Sequence, residues 1–129
     1  MNIKDLMDAK GIIGEKNEEK RKEFEVASLK NIGDGKITIR SITDEEYDSI
    51  KRSSKTPEEI NKNAVYRAVV EPDLRNEEFQ DFYGCKFNPL DIVRTIFSPA
   101  EVDLISQEIG KLSNMNTNVQ GIIEEVKNS

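Results

Sequence analysis

The sequence predicts a mainly α fold, a small helical domain with an N-terminal β-hairpin packed on the helices (α+β). Two patterns predict it. Helix-start signals in which Ser or Thr is followed three residues later by Glu recur at Thr43, Thr56 and Ser98, and such capping boxes satisfy N–H groups that a first helical turn leaves free. Before them, two apolar runs flank an Asp34-Gly35 pair, which supplies the positive φ angles of a tight hairpin turn. At 129 residues, the chain has the length of one domain.

The first segment, residues 1–22, is predicted to be a helix followed by a charged arm. Asn2 is a suitable cap for a helix over residues 2–10, which Gly11 is expected to end. The apolar side chains on one side of this helix are Ile3, Leu6 and Met7. Residues 15–23 carry both signs of charge and no apolar side chain, which is typical of a solvated linker or an exposed helix.

The second segment, residues 23–114, is predicted to be a single compact helical domain that includes the hairpin. Its strands are expected at about 23–30 and 36–42. Pro72 is expected to stop one helix near Val70, because proline disfavours the helical conformation in the residue before it. The residues that mark the expected helix starts are Thr43, Thr56, Asn76, Asn88 and Ser98.

The last segment, residues 115–129, is predicted to be a C-terminal amphipathic helix. Its apolar residues recur at i, i+3, i+4 and i+7, which is the spacing of one helix face. They are Val119, Ile122, Ile123 and Val126. Two interpretations are open, since this stripe either covers the domain's own core or docks on another copy or a partner.

Composition excludes several classes of function. The chain contains no His and one Cys, which excludes Ser-His-Asp and Cys-His catalysis, His-ligated zinc and an intrachain disulfide. Nineteen Lys and Arg against 25 Asp and Glu give a net charge of −6, which disfavours nucleic acid as a partner. The N-terminus lacks an export signal, and no run approaches the ~20 apolar residues of a membrane span. We therefore expect a cytoplasmic protein that binds neither nucleic acid nor membrane.

Three features resemble catalytic motifs, and each has a simpler structural explanation. The Pro-Asp pair at Asp73 has its only later Glu-x-Lys at Glu125, and both fall on helices or at helix ends rather than on the adjacent strands of a magnesium nuclease. The Gly-Asp-Gly-Lys run precedes Ile37, where a phosphate loop has Ser or Thr. Cys85 has no general base, so a small, partly buried side chain is favoured. No catalytic residue, cofactor or metal site is predicted, and the chain is not expected to be an enzyme.

Aromatic and apolar residues between positions 79 and 97 form the candidate binding surface. The chain has three Tyr and five Phe, and five of these eight rings fall in this stretch. Most of them are expected in the domain core, and the sharper hypothesis is that some line a groove for an amphipathic partner helix. The predicted partner-contact residues are Phe79, Phe82, Tyr83, Leu90, Val93 and Phe97.

Four runs in the helical half carry a family resemblance. They are Ala68-Val69-Val70-Glu71-Pro72-Asp73-Leu74, Phe79-Gln80-Asp81-Phe82-Tyr83-Gly84, Pro89-Leu90-Asp91-Ile92-Val93, and Ala100-Glu101-Val102-Asp103-Leu104-Ile105 continuing to Lys111-Leu112-Ser113. In order and spacing they resemble phage tail assembly chaperones, in particular the XkdN-like group of PBSX-type prophages. The hairpin and the Thr43 box fit the same layout, so the resemblance covers about residues 23–114. Pro99-Ala100 stands where relatives often have Gly before the Glu of the last helix.

The resemblance implies a cytoplasmic, non-enzymatic factor for the assembly of a phage, prophage or tailocin tail. Such a factor binds the tape measure protein and keeps it soluble while the tail tube polymerises around it. The tail tube protein is a second candidate partner, and self-association is a third. The family offers no catalytic residue or cofactor to carry over. The alternative is a structural component of a phage tail or connector, which would be present in the finished particle.

Overall fold

The structure, a computed structural model, describes residues 1–114. These residues form seven α-helices and a three-stranded antiparallel sheet, which confirms the predicted mainly α, α+β fold. In chain order the elements are α1 (Ile3–Asp8), α2 (Lys10–Lys16), β1 (Arg21–Glu25), β2 (Lys36–Arg40), α3 (Asp44–Ser53), α4 (Pro57–Ala68), β3 (Val69–Glu71), α5 (Glu77–Phe82), α6 (Asp91–Ile96) and α7 (Pro99–Leu112). The predicted C-terminal helix over 115–129, with its stripe from Val119 to Val126, lies outside the described residues.

The sheet has β2 at its centre, between β1 and β3. Phe24 of β1 lies opposite Ile37 of β2. Because side chains alternate between the two faces of a strand, Ile37 and Ile39 share one face, and both are buried. This face packs on α7, and the Lys22 ammonium of β1 lies 2.8 Å from the Glu108 carboxylate of α7. The sheet and the longest helix therefore form one packed unit.

Both ends of the first strand differ from the prediction. β1 begins at Arg21, inside the segment predicted as a charged arm, and ends at Glu25 rather than near residue 30. The Lys20 main chain extends the pairing, because its N–H donates to Ser41 Oγ and its carbonyl accepts from the Ser41 N–H, each at 2.8 Å. Charged side chains are compatible with β1 because it is an edge strand.

The connection between β1 and β2 is longer than the predicted tight turn. Residues Ala27–Leu29 form a 3₁₀ helix, and Gly33 and Gly35 have positive φ angles. A Cβ on Gly35 would lie 2.6 Å from the Lys30 Cα, so a larger residue there would displace the main chain. β2 then starts at its predicted first residue and ends at residue 40 rather than 42.

Helices α3, α4 and α7 begin where the capping signals predict. Thr43 Oγ1 accepts a hydrogen bond from the Glu46 N–H at 3.1 Å. Ser98 Oγ accepts from the Glu101 N–H at 3.3 Å, and Thr56 caps α4 in the same way. These starts were predictable because both partners of each hydrogen bond lie within four residues of sequence.

A third strand, Val69–Glu71, occupies the end of the region predicted as helix, and α4 ends at Ala68. The two valines continue the apolar stripe of α4 in sequence, so periodicity favours a helix up to Val70. Pairing with Ile39 and Thr38 of β2 instead makes the segment a strand. The prediction was wrong here because the pairing partners lie about thirty residues away, beyond the reach of a local pattern.

The N-terminal arm, defined as residues 1–16, contains two short helices instead of one. α1 ends at Asp8 and α2 begins at Lys10, with Ala9 between them. Gly11 lies inside α2, so it does not end the first helix as predicted; glycine lowers helix stability without forbidding the helix. No residue of either helix is buried.

The core lies between the sheet and helices α4, α6 and α7. Its buried apolar residues are Val26, Ile37, Ile39, Ile42, Ile50, Ala64, Val65, Ala68, Val69, Leu74, Cys85, Ile92, Val93, Phe97, Val102, Ile105 and Ile109. The Ile42 N–H donates to Ser113 Oγ at 2.8 Å, which ties the end of α7 to the exit of β2. The division of the chain into segments at residues 22 and 114 stays a prediction, although β1 begins inside the first of these segments, residues 1–22.

Candidate functional site

Helix α5 carries Phe79 and Phe82, and Tyr83 directly follows its last residue. The helix is short because both its ends are fixed. Asn76 Oδ1 accepts from the Phe79 N–H at 2.9 Å and caps the first turn. At the other end, Gly84 has φ 73°, which favours glycine, and the Cys85 N–H donates to the Gln80 carbonyl at 2.8 Å. The helix therefore presents about two turns of side chains.

Gln80 attaches α5 to the domain. Its side chain is buried, and Nε2 donates to Tyr66 Oη at 3.0 Å and to the Leu74 carbonyl at 2.9 Å. Tyr66 belongs to α4, and Leu74 precedes α5. A buried amide with its N–H groups satisfied fixes the rotation of the helix about its axis, so the face opposite Gln80 points to solvent.

Phe82 lies on that outer face, and with the neighbouring rings of Phe79 and Tyr83 it forms what we call the aromatic patch. Tyr83 makes edge-to-face contacts with both neighbours, with centroid separations of 5.3 Å to Phe79 and 5.1 Å to Phe82. Phe82 is 81% exposed and Tyr83 47% exposed, whereas Phe79 is half-buried against the core. The rings thus support one another in a packed group that remains open to solvent.

The other three predicted contact residues lie elsewhere. Val93 is 0% exposed and Phe97 is 1% exposed, so for these two the core interpretation is correct and they offer no surface to a partner. Leu90 is half-buried and lines a different concavity, between α4, α6 and the start of α7. Of the six residues, the structure therefore brings together only the aromatic patch.

Phe87 is an exposed aromatic residue that the predicted contact set omits. Its ring is 96% exposed and lies on the connection between α5 and α6, with the Lys86 ammonium 6.0 Å from its centroid. The sequence does contain a signal. Phe87 follows Tyr83 by four residues, but Gly84 ends the helix between them, so Phe87 lies between Lys86 and Asn88 on a polar connection. An isolated large ring on a polar connection is rarely part of a core.

A shallow groove of about 420 Å³ adjoins the aromatic patch. Its walls are Pro72, Asp73, Asn76, Glu78, Phe79 and Phe82. Hydrogen bonds from the Arg75 main-chain N–H and guanidinium lower the pKa of the Asp73 carboxyl, so this carboxylate is ionised at neutral pH. Glu77, Glu78 and Asp81 add further acidic side chains on α5. The groove therefore combines apolar rings with a negative border.

A second concavity in the described part of the chain differs in character. It has a volume of about 700 Å³ and lies between α4, α6 and α7. Most of its walls are polar or charged, including Glu59, Asp91, Arg94 and Asp103. Within residues 1–114 there is no cluster of three or more Cys, Asp or Glu that could hold a metal ion. This cleft is therefore a mainly polar surface between helices.

Cys85 belongs to the buried core cluster. Cys85 is buried, and its Sγ lies 3.6 Å from the Tyr83 carbonyl oxygen and 3.7 Å from Thr95 Oγ1. This confirms the prediction that it is a small packed side chain. None of the helices described in residues 1–114 combines the length and the apolar character that crossing a bilayer requires.

Residues 3–127 match the model of a family described as phage XkdN-like tail assembly chaperone protein, TAC. No curated protein and no solved structure matches the chain. The matched range includes the N-terminal arm, so it is wider than the range of about 23–114 over which the sequence resemblance was apparent.

Proposed function

The chain belongs to the XkdN-like family of phage tail assembly chaperones, and we propose that it binds the tape measure protein of its tail and keeps it soluble until the tail tube encloses it. This role is a binding role without catalysis. It places the protein in the cytoplasm of the host cell during assembly. The tail tube protein is the second partner that we propose.

The observation that carries this proposal is the exposed aromatic patch together with Phe87. A soluble monomer rarely exposes several large rings in one region unless they meet another surface. Aromatic side chains also dominate the energetics of protein interfaces, because they bury a large area with little loss of conformational freedom. Tyr83 stabilises both neighbouring rings in edge-to-face contacts, so the surface is ordered before a partner arrives.

The chemistry of the groove indicates the kind of segment it binds. Helix α5 leaves a shallow apolar strip, which suits the apolar face of an amphipathic helix better than a deep side-chain anchor. The carboxylate of Glu78 at the groove, with those of Glu77 and Asp81 on α5, favours a helix whose apolar stripe is flanked by Lys or Arg. We therefore propose that basic amphipathic helices of the tape measure protein are the segments bound.

Coexpression tests the proposal. The tape measure protein encoded in the same tail gene cluster is expressed alone, with the wild-type chain, and with F82E or F87E. We expect the wild type to raise the soluble fraction and to copurify with the tape measure protein, and each variant to reduce both. Ile32→Glu is the control, because Ile32 is also exposed but lies on the connection between β1 and β2. If the wild type neither copurifies nor improves solubility, the proposal is wrong.

The same system separates the chaperone from a structural tail component. A chaperone leaves the assembly, so mass spectrometry of purified particles should detect tube and tape measure peptides without peptides of this chain. Peptides of this chain at a stoichiometry comparable to that of the other tail proteins would instead support a structural component of the tail or connector.

A further inference from the structure

A groove on the surface of the domain runs between its edge strand and its longest helix. This groove, which we call the β1–α7 groove, has a volume of about 460 Å³. Phe24, Val26 and Ile105 supply buried or half-buried apolar surface to it, and Leu104 stands at its side, 60% exposed. Together these side chains form an apolar strip that another apolar segment can cover.

The strand and the helix that form this groove run in opposite directions. At one end of the groove, the Lys22 ammonium lies 2.8 Å from the Glu108 carboxylate. At the other end, the Ser28 hydroxyl donates a hydrogen bond to the Glu101 carboxylate. The chain therefore passes along the groove from Lys22 to Ser28 while α7 passes from the Ser28 end to the Lys22 end.

The described part of the chain ends close to one end of the groove. Helix α7 continues from Glu108 to Leu112, and residues 115–129 follow two residues later. From Glu101 to Leu112, α7 advances by about 16 Å, and the fifteen residues of 115–129 would span about 22 Å as a helix. A segment that turns back along α7 is therefore long enough to cover the whole groove.

The sequence of residues 115–129 carries apolar side chains that suit such a strip. Four of them recur at i, i+3, i+4 and i+7, which is the spacing of one helix face. They are Val119, Ile122, Ile123 and Val126. A helical projection of this sequence places Glu124 and Glu125 away from that face and Lys127 beside it. The apolar stripe is thus accompanied by an ammonium near its far end.

The carboxylate that this ammonium can reach is Glu101. Hydrogen bonds from Ser28 and then from the Ser98 N–H lower the pKa of Glu101, so it is ionised at neutral pH. None of the salt bridges described in residues 1–114 involves it. A connection over residues 113–118 has the length usual between two antiparallel helices. A segment that then runs back along α7 places Lys127 within about one turn of Glu101.

Two other concavities adjoin the last turns of α7, and neither suits an apolar stripe as well. One has a volume of about 500 Å³ and is lined mainly by polar and charged side chains, including Arg40 and Glu46. The other lies beside Tyr47 and Ile60 and has a volume of about 140 Å³, less than a third of that of the β1–α7 groove. Of the three, the β1–α7 groove therefore combines the apolar surface and the size that the stripe requires.

We propose that residues 115–129 turn back along α7 and dock their apolar stripe in the β1–α7 groove of the same chain. Val126 then contacts Leu104, and Lys127 pairs with the Glu101 carboxylate. The same chain is favoured over a second copy, because a segment attached at the end of the groove meets it at a high effective concentration. This contact covers the apolar strip, leaves the aromatic patch open to a partner, and does not rest on the proposed function.

A disulfide cross-link tests where the segment lies. In the full chain, Leu104→Cys with Val126→Cys should form a bond within one chain under mild oxidation, visible as a faster-moving monomer on a non-reducing gel. Asp103→Cys with Val126→Cys is the matched control. Asp103 is also exposed, but it lies on the α4 side of α7, with its carboxylate 3.5 Å from the Asn61 amide. The control pair should form the bond at least about tenfold more slowly, because a disulfide requires closely spaced Cβ atoms.

Three results of the cross-linking experiment would overturn the proposal. A cross-link between two chains would show that the segment of another copy occupies the groove. Equal rates for the two cysteine pairs would show that the segment has no preferred position on α7. The absence of any cross-link would show that Val126 does not reach Leu104.

Hydrogen exchange followed by mass spectrometry tests whether the groove holds the segment. In the wild type we expect the amides of residues 119–126 to be protected, because docking restrains their backbone. Leu104→Glu should lower this protection at least about tenfold, since a second carboxylate then faces the apolar stripe. Leu104 is exposed, so this variant should fold, as circular dichroism will verify. Phe82→Glu is the control and should exchange like the wild type.

Unprotected amides over residues 119–126 in the wild type would contradict the proposal. Equal protection in the wild type and in Leu104→Glu would also contradict it, because the segment would then dock elsewhere. Both experiments use the purified chain without any tail protein. Their failure is therefore distinguishable from a failure of the chain to bind the tape measure protein.

Discussion

Helix α7 and the N-terminal arm begin with the same capping motif, but they differ in burial. Ser98 and Glu101 form a capping box at the start of α7, and Asn2 and Asp5 form one at the start of α1. Each element carries an apolar stripe at helical spacing. The stripe of α7 is buried in the core, whereas no residue of the arm is buried. A capping box therefore specifies where a helix begins, and the rest of the chain, or another chain, decides whether its stripe is covered.

The largest expected effect on stability distinguishes a buried phenylalanine from an exposed one. Phe97 is fully buried and Phe82 is exposed. We expect F97A to lower the free energy of unfolding by about 3–5 kcal/mol, because it leaves a cavity in the core, and F82A to change it by less than about 0.5 kcal/mol. Urea unfolding followed by far-ultraviolet circular dichroism measures both. Equal effects would mean that α5 packs its outer face against the domain.

A smaller effect should follow from removing a buried amide. Gln80→Met keeps the length of the side chain but deprives Tyr66 Oη and the Leu74 carbonyl of a donor. We expect a loss of about 1–3 kcal/mol, the usual penalty for unsatisfied buried polar groups. Gln107→Met is the control, because Gln107 is exposed on α7 and its side-chain amide donates to the exposed Asp103 carboxylate within the same helix. If the two variants are equally stable, Gln80 does not fix α5.

Removal of the two capping boxes should affect the stability of the domain differently. Ser98→Ala should lower the unfolding free energy of the domain by about 1 kcal/mol, because α7 and the core unfold together. Asn2→Ala removes an equivalent cap, in which Asn2 Oδ1 accepts from the Asp5 N–H at 2.9 Å. It should leave domain stability unchanged and reduce only the helical signal of the arm. Equal losses of stability would show that the arm is coupled to the domain.

The smallest effect concerns pH. The Arg40 guanidinium donates two hydrogen bonds to the Glu46 carboxylate, at 2.9 and 2.8 Å, and this contact lowers the pKa of Glu46 and raises that of Arg40. A carboxyl with a lowered folded-state pKa contributes stability above its unfolded value of about 4.3, and that contribution is lost as pH falls through the folded value. Stability should therefore fall on acidification below that point. Glu46→Gln should be less stable at neutral pH and should show a smaller fall, as unfolding at a series of pH values will test.

The sequence predicts those parts of the fold that depend on neighbouring residues. The starts of α3, α4 and α7 follow from hydrogen bonds between residues three apart. The end of α5 follows from Gly84, whose φ of 73° favours glycine. The strand Val69–Glu71 was not predictable in this way, because its β-branched residues suit a helix stripe and its identity depends on pairing with β2.

The candidate site shows the same limit. Phe82 and Phe97 are both aromatic residues at helical spacing. The periodicity alone does not distinguish a core residue from a contact residue. The burial of Gln80 determines that Phe82 is exposed, because it turns Phe82 outward. A buried glutamine is not expected from sequence. Phe87 continues the i, i+4 spacing of Phe79 and Tyr83 in sequence, but it lies beyond the end of α5, so its exposure depends on where that helix ends.

Calorimetric titration of the purified chain with soluble segments of the tape measure protein tests the central claim most directly. We expect saturable binding to a basic amphipathic segment. Phe82→Ala should weaken this binding at least about tenfold, as expected for an interface aromatic residue, while Ile32→Ala should bind like the wild type. Equal affinities for all three chains, or no binding by the wild type, would contradict the claim that the aromatic patch holds the tape measure protein.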